Sequence, residues 1–264
     1  MGTANIKNIK VAAKAGGEVL RQYFGQALKT TIKTGPADFV TQADLESEAE
    51  IIRILEAAFP DYNIDSEERG LIDKGSDWTF VIDPLDGSNN FVCGIPNFAV
   101  SIALLKQNTL EVGVIQVPLS GQIYWAARNQ GAYVGDLPNQ PLRVSAAREI
   151  NCSTIAVGMG YDAVPMRQTI YNRLAAIRFQ RVLSGWCSTL EHAVLAAGKI
   201  ELALQYKGEQ YDFLAGKIIM REAGAIITDL AGQPESSDLN GSFIAGNSRE
   251  MVEKFLAGMD WQEL

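Results

Sequence analysis

Five short apolar segments between residues 78 and 134 restrict the possible folds of this chain more than any other feature of its sequence. They are rich in β-branched and aromatic residues and are separated by Gly, Pro and Asn, a pattern typical of strands joined by turns. Because most of the connections are short, we predict an antiparallel sheet in which consecutive strands are neighbours. The predicted strands cover residues 78–83, 98–105, 110–117, 122–127 and 132–134.

Helices are predicted on both sides of this strand-rich block. Apolar residues recur at helical spacing over residues 6–24 and 45–59, and Thr41 and Asp44 have the spacing of a capping box before the second helix. The second half alternates strands, at 154–157, 200–204, 225–228 and 242–245, with helices, at 166–179, 188–197, 212–223 and near the C-terminus. This order predicts a layered α/β (α+β) fold in one compact domain over residues 1–264, with halves of roughly 1–145 and 146–264.

The composition argues against several kinds of chemistry. The only histidine, His192, lies in a predicted helix, where a lone histidine is usually a packed or capping residue. Catalysis by a Ser-His-Asp triad, a Cys-His pair or an HExxH zinc site is therefore disfavoured. The net charge of −8 argues against nucleic acid as a partner. An acidic balance fits either general solubility or carboxylates gathered around a cation, and composition does not separate these interpretations.

The cysteines and the apolar segments indicate the compartment. Cys93, Cys152 and Cys187 are odd in number and form no CxxC pair, so we expect reduced thiols that are structural or incidental, because a free Cys usually behaves as a small buried hydrophobic residue. The N-terminal segment has too few apolar residues for a signal peptide, and no apolar run reaches the roughly 20 residues that span a bilayer. We therefore expect a cytoplasmic protein with no membrane partner.

The segment VIDPLDGSNNF, residues 81–91, combines a strand end, two aspartates and a turn. Asp83 ends the predicted strand, Pro84 is expected to stop sheet pairing, and Asp86 follows before a Gly-Ser turn. Two carboxylates at a strand end suit Mg²⁺, which prefers oxygen ligands, and the backbone N–H groups of the turn suit a phosphate oxygen. A surface Asp-Pro turn is the alternative interpretation of this segment alone.

Other acidic positions strengthen the metal interpretation, whereas two common acidic motifs do not fit. An EF-hand loop starting at Asp83 would place apolar or glycine residues at ligand positions. Phosphatases of the haloacid-dehalogenase type need their two aspartates two positions apart, and here they are three apart. Further acidic residues stand after a predicted strand or at a helix start: Asp44, Glu67, Glu68 and Asp212. Each alone is typical of a cap or a surface charge, but their combined order indicates one shared site.

With these motifs the chain resembles the inositol monophosphatase family of magnesium-dependent, lithium-sensitive phosphatases. The matching stretches, KTGPADFVTQAD, SEE, DPLDGSNNF, GIPNFAVSIAL and YDFLAGKIIMREAGAIITDLAG, are spread over residues 33–232. The resemblance implies an α/β layered sandwich like that of inositol monophosphatase and fructose bisphosphatase, with an antiparallel-rich first sheet and a smaller second sheet flanked by helices. It also implies a homodimer that hydrolyses a small phosphorylated metabolite with two Mg²⁺ ions and a weaker third.

The resemblance further assigns roles to individual residues. Metal ligands are expected at Glu67, Asp83, the Leu85 carbonyl, Asp86 and Asp212; Asp44, Glu67 and Ser88 are expected to orient the attacking water; phosphate and substrate contacts are expected at Asp86, Gly87, Ser88, Trp186 and Gln205. Metal ions in such a site lower the pKa of water and hold the attacking and leaving oxygens in line, so no covalent nucleophile is needed. Residues 1–145 would then carry the metal and phosphate site, and residues 146–264 the substrate side.

Departures from the family pattern affect the substrate side more than the metal side. Ser88 replaces the usual Thr but keeps the hydroxyl, whereas Gln205 stands where inositol-specific members carry a Glu, and Trp186 interrupts a stretch of small residues. We therefore expect weak use of inositol 1-phosphate; the alternative is that Gln205 faces solvent and Trp186 packs in the core. Histidinol phosphate, fructose 1,6-bisphosphate and 3′-phosphoadenosine 5′-phosphate remain alternative substrates, and a catalytically silent regulatory protein is the alternative function.

Overall fold

A computed structural model describes residues 3–35, 38–160 and 163–259. Its first elements are helix α1 (Thr3–Tyr23), the hairpin of β1 (Thr30–Gly35) and β2 (Asp38–Thr41), and helix α2 (Gln42–Ala58). The Thr41 side chain caps α2, and the Asp44 carboxylate accepts from the N–H of Thr41, so the predicted capping box is confirmed. Pro36 and Ala37, inside the motif at residues 33–44, lie outside the described residues.

The predicted meander forms part of the larger of two sheets. Its strands are β3 (Asn63–Ser66), β4 (Gly70–Ile72), β5 (Trp78–Asp86), β6 (Ala99–Lys106), β7 (Thr109–Gln116), β8 (Ile123–Ala127) and β9 (Ala132–Val134), in the order β4-β3-β5-β6-β7-β8-β9. Strands β5 to β9 pair antiparallel with their neighbours along the chain, as predicted, whereas β3 pairs parallel with β5. A short helix, α3 (Ser88–Val92), lies between β5 and β6.

The second half of the chain forms a smaller sheet with flanking helices. Its strands are β10 (Thr154–Met159), β11 (Arg181–Leu183), β12 (Leu202–Tyr206), β13 (Ile226–Thr228) and β14 (Phe243–Gly246), in the order β11-β10-β12-β14-β13. Its helices are α4 (Val164–Ile177), α5 (Ser188–Ala196), α6 (Gln210–Glu222) and α7 (Arg249–Met259), after a 3-10 turn at Ile150–Cys152. None of the described helices is both long and apolar enough to cross a membrane.

Three hydrophobic clusters stack these elements into alternating helix and sheet layers. On β6, Val100 and Ile102 pack in a cluster with α1 and α2. Ala103 and Leu105, on the opposite face of β6, pack with α5 and α6 in a middle cluster that also contains one face of the smaller sheet. The other face of the smaller sheet packs against α4 and α7. Because each fully buried Leu or Ile contributes roughly 1.5–3 kcal/mol, this packing fixes the relative positions of the two sheets.

A bulge at the end of β5 places two aspartates on the same side of the sheet. Asp83 pairs with Ser101, and Asp86 pairs with Ala99. The advance of three residues along β5 therefore lies opposite an advance of two residues along β6, so β5 contains one extra residue. In a regular strand, residues three apart point to opposite faces, and the extra residue of the bulge removes this difference. The prediction that Pro84 stops sheet pairing is therefore wrong, because β5 continues through it to Asp86.

Exposure accounts for other differences between prediction and structure. Strand β11 is exposed along its whole length and was not predicted, because an exposed strand shows no apolar alternation. All three cysteines are free thiols, as expected; Cys187 is buried, whereas Cys93 and Cys152 are exposed. His192 is buried on α5, as expected for a packed residue.

Candidate active site

Three aspartates from separate parts of the chain meet at the carboxyl end of β5. One carboxylate oxygen from each of Asp83, Asp86 and Asp212 lies within 4.8 Å of the others. Asp83 and Asp86 come from the bulged end of β5, and Asp212 comes from the first turn of α6. The structure therefore brings together three of the predicted metal ligands.

Burial and mutual repulsion raise the pKa of these carboxyl groups. The pKa of Asp83 lies well above its ordinary value because of burial first, and then because of the charges of Glu67, Asp86 and Asp212. The pKa of Asp212 is raised in the same way, by burial and then by Asp86 and Glu67. Glu67 is not one of the three residues whose carboxylate oxygens lie within 4.8 Å of one another, but the pairing of Ser66 with Ile82 places it beside Asp83 at the same end of β3 and β5.

The chemistry of this donor set fits a divalent cation. Among the residues that the structure describes, no lysine or arginine forms an ion pair with Asp83, Asp86 or Asp212. Buried charges are stable only when they are paired, hydrogen-bonded or bound to a metal. Carboxylate oxygens are the ligands that Mg²⁺ prefers. The three aspartates, together with Glu67, are therefore the side chains that would hold such an ion.

The peptide after Asp83 is held by hydrogen bonds on both sides. Asp83 Oδ1 accepts from the N–H of Leu85 at 2.9 Å, and the Leu85 carbonyl accepts from the Ser88 hydroxyl at 3.0 Å. The hydroxyl of Ser47, on α2, donates to the Pro84 carbonyl at 3.0 Å. The bulge is thus fixed in place, while the role of the Leu85 carbonyl as a metal ligand remains a prediction.

Asp44 and Ser88 form a hydrogen-bonded pair beside the cluster. Ser88 Oγ donates to Asp44 Oδ1 at 3.0 Å, as an alternative to its bond with the Leu85 carbonyl. The other oxygen of Asp44 accepts from the N–H of Thr41 at 2.9 Å and from its hydroxyl at 2.5 Å. Burial raises the pKa of Asp44 above its ordinary value despite these hydrogen bonds. The pair has the geometry that the resemblance implied, and its catalytic role remains a prediction.

The N-terminus of α5 holds Asp86 through contacts that the sequence analysis missed. Asp86 Oδ2 accepts from the N–H of Thr189 at 2.8 Å and from its hydroxyl at 2.5 Å, and the Cys187 thiol lies 3.3 Å away. The positive end of the helix dipole favours a carboxylate at this position. Burial nevertheless raises the pKa of Asp86. The only signal in the sequence was the hydroxyl-rich start of the helix predicted at residue 188.

The turn after Asp86 has a backbone conformation that glycine adopts without strain. Gly87 has a φ of 94°, and a Cβ atom at this position would lie 2.9 Å from the carbonyl oxygen of Asn97. Gly87 is the N-cap residue of α3, and it has no side chain that could accept hydrogen bonds from the first N–H groups of that helix. The N–H groups of Gly87 and Ser88 therefore remain candidates for the predicted phosphate contact.

The exposure of Gln205 and Trp186, the two predicted substrate residues, is the reverse of what the alternative interpretation requires. Gln205, on β12, is 1% exposed, and Trp186 is 66% exposed, so Gln205 does not face solvent and Trp186 does not pack in the core. Gln205 Oε1 is buried and has no hydrogen-bond partner among the described residues. The Trp186 carbonyl lies 3.3 Å from a Cβ built on Gly87, so its backbone borders the turn. Contact of either side chain with substrate remains a prediction.

The layered fold and the acidic cluster at the end of β5 define a protein of the inositol monophosphatase class. The model of the inositol monophosphatase family matches residues 4–261, nearly the whole chain. The chain therefore belongs to the inositol monophosphatase family, and the recognition made from its motifs is confirmed.

Individual relatives carry two kinds of name. The Nus factor SuhB of Haemophilus influenzae is 35% identical over 252 residues, which cover 93% of this chain and 91% of that protein. The crystal structure of extragenic suppressor protein suhB from Bartonella henselae has a TM-score of 0.88 and 31% identity, and covers 98% of this chain and 99% of that one. The IMPase of Thermotoga maritima has a TM-score of 0.83 and 27% identity, over 95% and 94% of the two chains. These structures confirm the predicted layered fold.

Proposed function

We propose that this protein hydrolyses a small phosphomonoester with the help of Mg²⁺, releasing an alcohol and inorganic phosphate. The observation that carries the proposal is the cluster of Asp83, Asp86 and Asp212, three carboxylates without a basic partner among the described residues, beside Glu67. When bound, Mg²⁺ lowers the pKa of water and neutralises charge on phosphate oxygens. Membership of the inositol monophosphatase family supports this reaction type.

The other residues of the site would orient water and phosphate. Asp44 accepts the hydroxyl hydrogen of Ser88, which leaves the lone pairs of Ser88 Oγ available to accept a hydrogen from the attacking water. We assign the second hydrogen of that water to Glu67. The water oxygen bonds to phosphorus as the bond to the ester oxygen breaks. The water gives up one proton, and the leaving oxygen takes up one proton to become the alcohol, so the step balances. The N–H groups of Gly87 and Ser88 would hold the phosphate oxygens.

The substrate is a small phosphorylated metabolite, and inositol 1-phosphate is expected to be a weak one. Gln205 lacks the negative charge of the Glu that inositol-specific members carry, and charge-assisted hydrogen bonds are about twice as strong as neutral ones. Gln205 Oε1 is buried without a partner among the described residues, so it would accept a substrate hydroxyl only after its side chain turns toward the substrate. Histidinol phosphate, fructose 1,6-bisphosphate and 3′-phosphoadenosine 5′-phosphate remain alternative substrates.

Phosphate release from a panel of these compounds tests the proposal, with Mg²⁺ and in excess chelator. Activity should require Mg²⁺ and should be inhibited by millimolar Li⁺. It should be lost in Asp83→Asn and Asp212→Asn, whose fold is checked by circular dichroism. Full activity in chelator, or a kcat near that of the wild type in Asp83→Asn, would overturn the metal mechanism.

A regulatory function without catalysis is the second candidate. Relatives from Haemophilus influenzae and Escherichia coli are named Nus factor SuhB, and this name does not describe an enzymatic reaction. Complementation of a deletion strain by the folded Asp83→Asn variant separates the two functions. A regulatory role should survive this substitution, whereas a role that depends on hydrolysis should not. The presence of every predicted ligand carboxylate favours hydrolysis.

The expected oligomer, compartment and partners are proposals as well. We infer a cytoplasmic homodimer that binds neither nucleic acid nor a membrane, and the net charge of −8 supports the absence of a nucleic-acid partner. Val182 and Leu183 are exposed on the edge strand β11, which makes that edge a candidate dimer surface. Sedimentation equilibrium measures the oligomeric state, and a monomer at micromolar concentration would contradict the inference.

A further inference from the structure

The buried face of α2 carries three polar residues that reach different parts of the candidate site. Asp44, Ser47 and Glu48 are buried and have i, i+3, i+4 spacing, so they share one face of the helix. The first two contact Ser88 and the Pro84 carbonyl, and Glu48 contacts the loop after β3. One helix therefore supports the turn, the bulge and the loop of the site together.

A single oxygen of Glu48 binds three groups in the loop after β3. Glu48 Oε1 accepts from the hydroxyl of Ser66 and from the N–H groups of Glu68 and Arg69, the latter two at 3.1 Å. Glu48 is 3% exposed, and its other oxygen lies 3.9 Å from Arg69 Nε, which is too long for a hydrogen bond. A carboxylate this deeply buried needs such donors, and its charge strengthens each bond.

These donors flank Glu67 on both sides along the chain. The N–H of Glu67 donates to the Ile82 carbonyl on β5 at 3.1 Å, so its own backbone is anchored as well. Ser66 pairs with Ile82 on β5, which places Glu67 beside Asp83 where the two parallel strands end. In keeping with this position, the charge of Glu67 contributes to the raised pKa of Asp83 and of Asp212. Glu48 therefore fixes the backbone that presents Glu67, and it does so from outside the cluster.

We propose that Glu48 is a positioning residue that holds Glu67 at the acidic cluster and so sets the affinity of the cluster for a divalent cation. This inference rests on the proposed function, in which Glu67 is a metal ligand. Removing a residue that orients a ligand typically weakens metal binding by about 10- to 100-fold. A purely structural Glu48 would instead change the stability of the protein and leave the metal affinity of the folded form unchanged.

Isothermal titration calorimetry with Mg²⁺ alone tests Glu48→Gln, which keeps the shape of the side chain and removes its charge. Mg²⁺ binding should weaken by about 10- to 100-fold, while thermal unfolding in chelator confirms that the variant is folded. The control is Glu50→Gln, the same change on the same helix at a residue whose partner is Arg53, at 2.6 Å on the surface. The control should bind Mg²⁺ as the wild type does. A folded Glu48→Gln protein with wild-type affinity would overturn the inference.

A second comparison shows whether Glu48 acts through Glu67. In a Glu67→Gln background, Glu48→Gln should cause no further loss of Mg²⁺ affinity, and an equal further loss would overturn the inference. Unchanged affinity in Glu67→Gln alone would overturn the assignment of Glu67 as a ligand, and this inference with it. If Glu48→Gln does not fold, Ser66→Ala takes its place, because it removes one of the three donors. Weaker Mg²⁺ binding then supports the inference, and wild-type affinity overturns it.

Discussion

Thr189 donates both its backbone N–H, at 2.8 Å, and its hydroxyl, at 2.5 Å, to one oxygen of Asp86. Asp86 ends β5 in the larger sheet, and Thr189 lies in the first turn of α5, in the second half of the chain. Asp212 also comes from the second half, on α6. The acidic cluster is therefore complete only when the two halves have packed together.

Thr189→Val should raise the Mg²⁺ concentration needed for half-maximal phosphate release by about tenfold. The substitution removes the hydroxyl donor and keeps both the shape and the backbone bond to Asp86. Thr228→Val is the matched control, because Thr228 is equally buried but its hydroxyl has no partner among the described residues. Equal Mg²⁺ requirements in Thr189→Val and the wild type would contradict a role of this hydroxyl in positioning Asp86.

Ser88→Ala should lower kcat by about 10²-fold or more, the scale of losing a group that orients water or transfers a proton. Ser88→Thr should be tolerated, because it keeps the hydroxyl that donates to Asp44 at 3.0 Å. Steady-state kinetics on the best substrate of the panel measures both variants. A kcat for Ser88→Ala within a factor of about three of the wild type, less than 1 kcal/mol in activation energy, would remove Ser88 from the mechanism.

Asp83→Asn should stabilise the metal-free protein at neutral pH. Because the folded protein holds the pKa of Asp83 well above its ordinary value, the folded state binds more protons than the unfolded state between those two pKa values. The unfolding free energy of the wild type therefore falls as pH rises through that window.

Urea unfolding in chelator at pH 5 and pH 8 measures this effect. At the higher pH the unfolding free energy of the variant should exceed that of the wild type by at least about 1.4 kcal/mol, the equivalent of one pKa unit. Added Mg²⁺ should reverse the order, because it stabilises only a protein that binds it. A variant less stable than the wild type in chelator at pH 8 would contradict repulsion within the cluster.

Lys217→Met should destabilise the protein by about 3–5 kcal/mol, the usual cost of leaving a buried charge without its partner. Lys217 is fully buried on α6, and its ammonium group lies 2.9 Å from the Glu235 carboxylate. Urea unfolding at pH 7 measures the loss. Lys199→Met, at an exposed lysine, is the control and should change stability by less than about 0.5 kcal/mol. Adding Glu235→Gln to Lys217→Met should recover part of the loss, and no recovery would contradict the unpaired-charge explanation.

Gln205→Glu should shift substrate preference toward inositol 1-phosphate, because a carboxylate binds sugar hydroxyls more strongly than an amide. The ratio of kcat/KM for inositol 1-phosphate to that for the best other substrate measures the shift. Gln130→Glu, on the surface, is the control. A wild-type protein that prefers inositol 1-phosphate by about tenfold or more, equal to 1.4 kcal/mol, would contradict the specificity argument and leave the metal mechanism untouched.

Patterns between residues close in sequence predicted most of the elements correctly. The antiparallel strands β5 to β9, the capping box of Thr41 and Asp44, and the helix starting near Asp212 all depend on such local patterns. The strands β1, β2, β4 and β11 were not predicted; β11, for example, is exposed along its whole length and lacks apolar alternation. The bulge at Pro84 was missed for a different reason: it depends on the pairing of β5 with β6.

Patterns in the amino-acid sequence are enough to predict most strands and helices in their correct order and to identify the acidic residues available for a metal site. Three features depend on the packing of distant elements: Thr189 holds Asp86, Glu48 supports the loop after β3, and Gln205 is buried while Trp186 is exposed. Apolar periodicity and capping act over one or two turns of chain. These contacts join residues far apart in sequence, and they form only because dense packing of the layers selects which face of each element meets which neighbour.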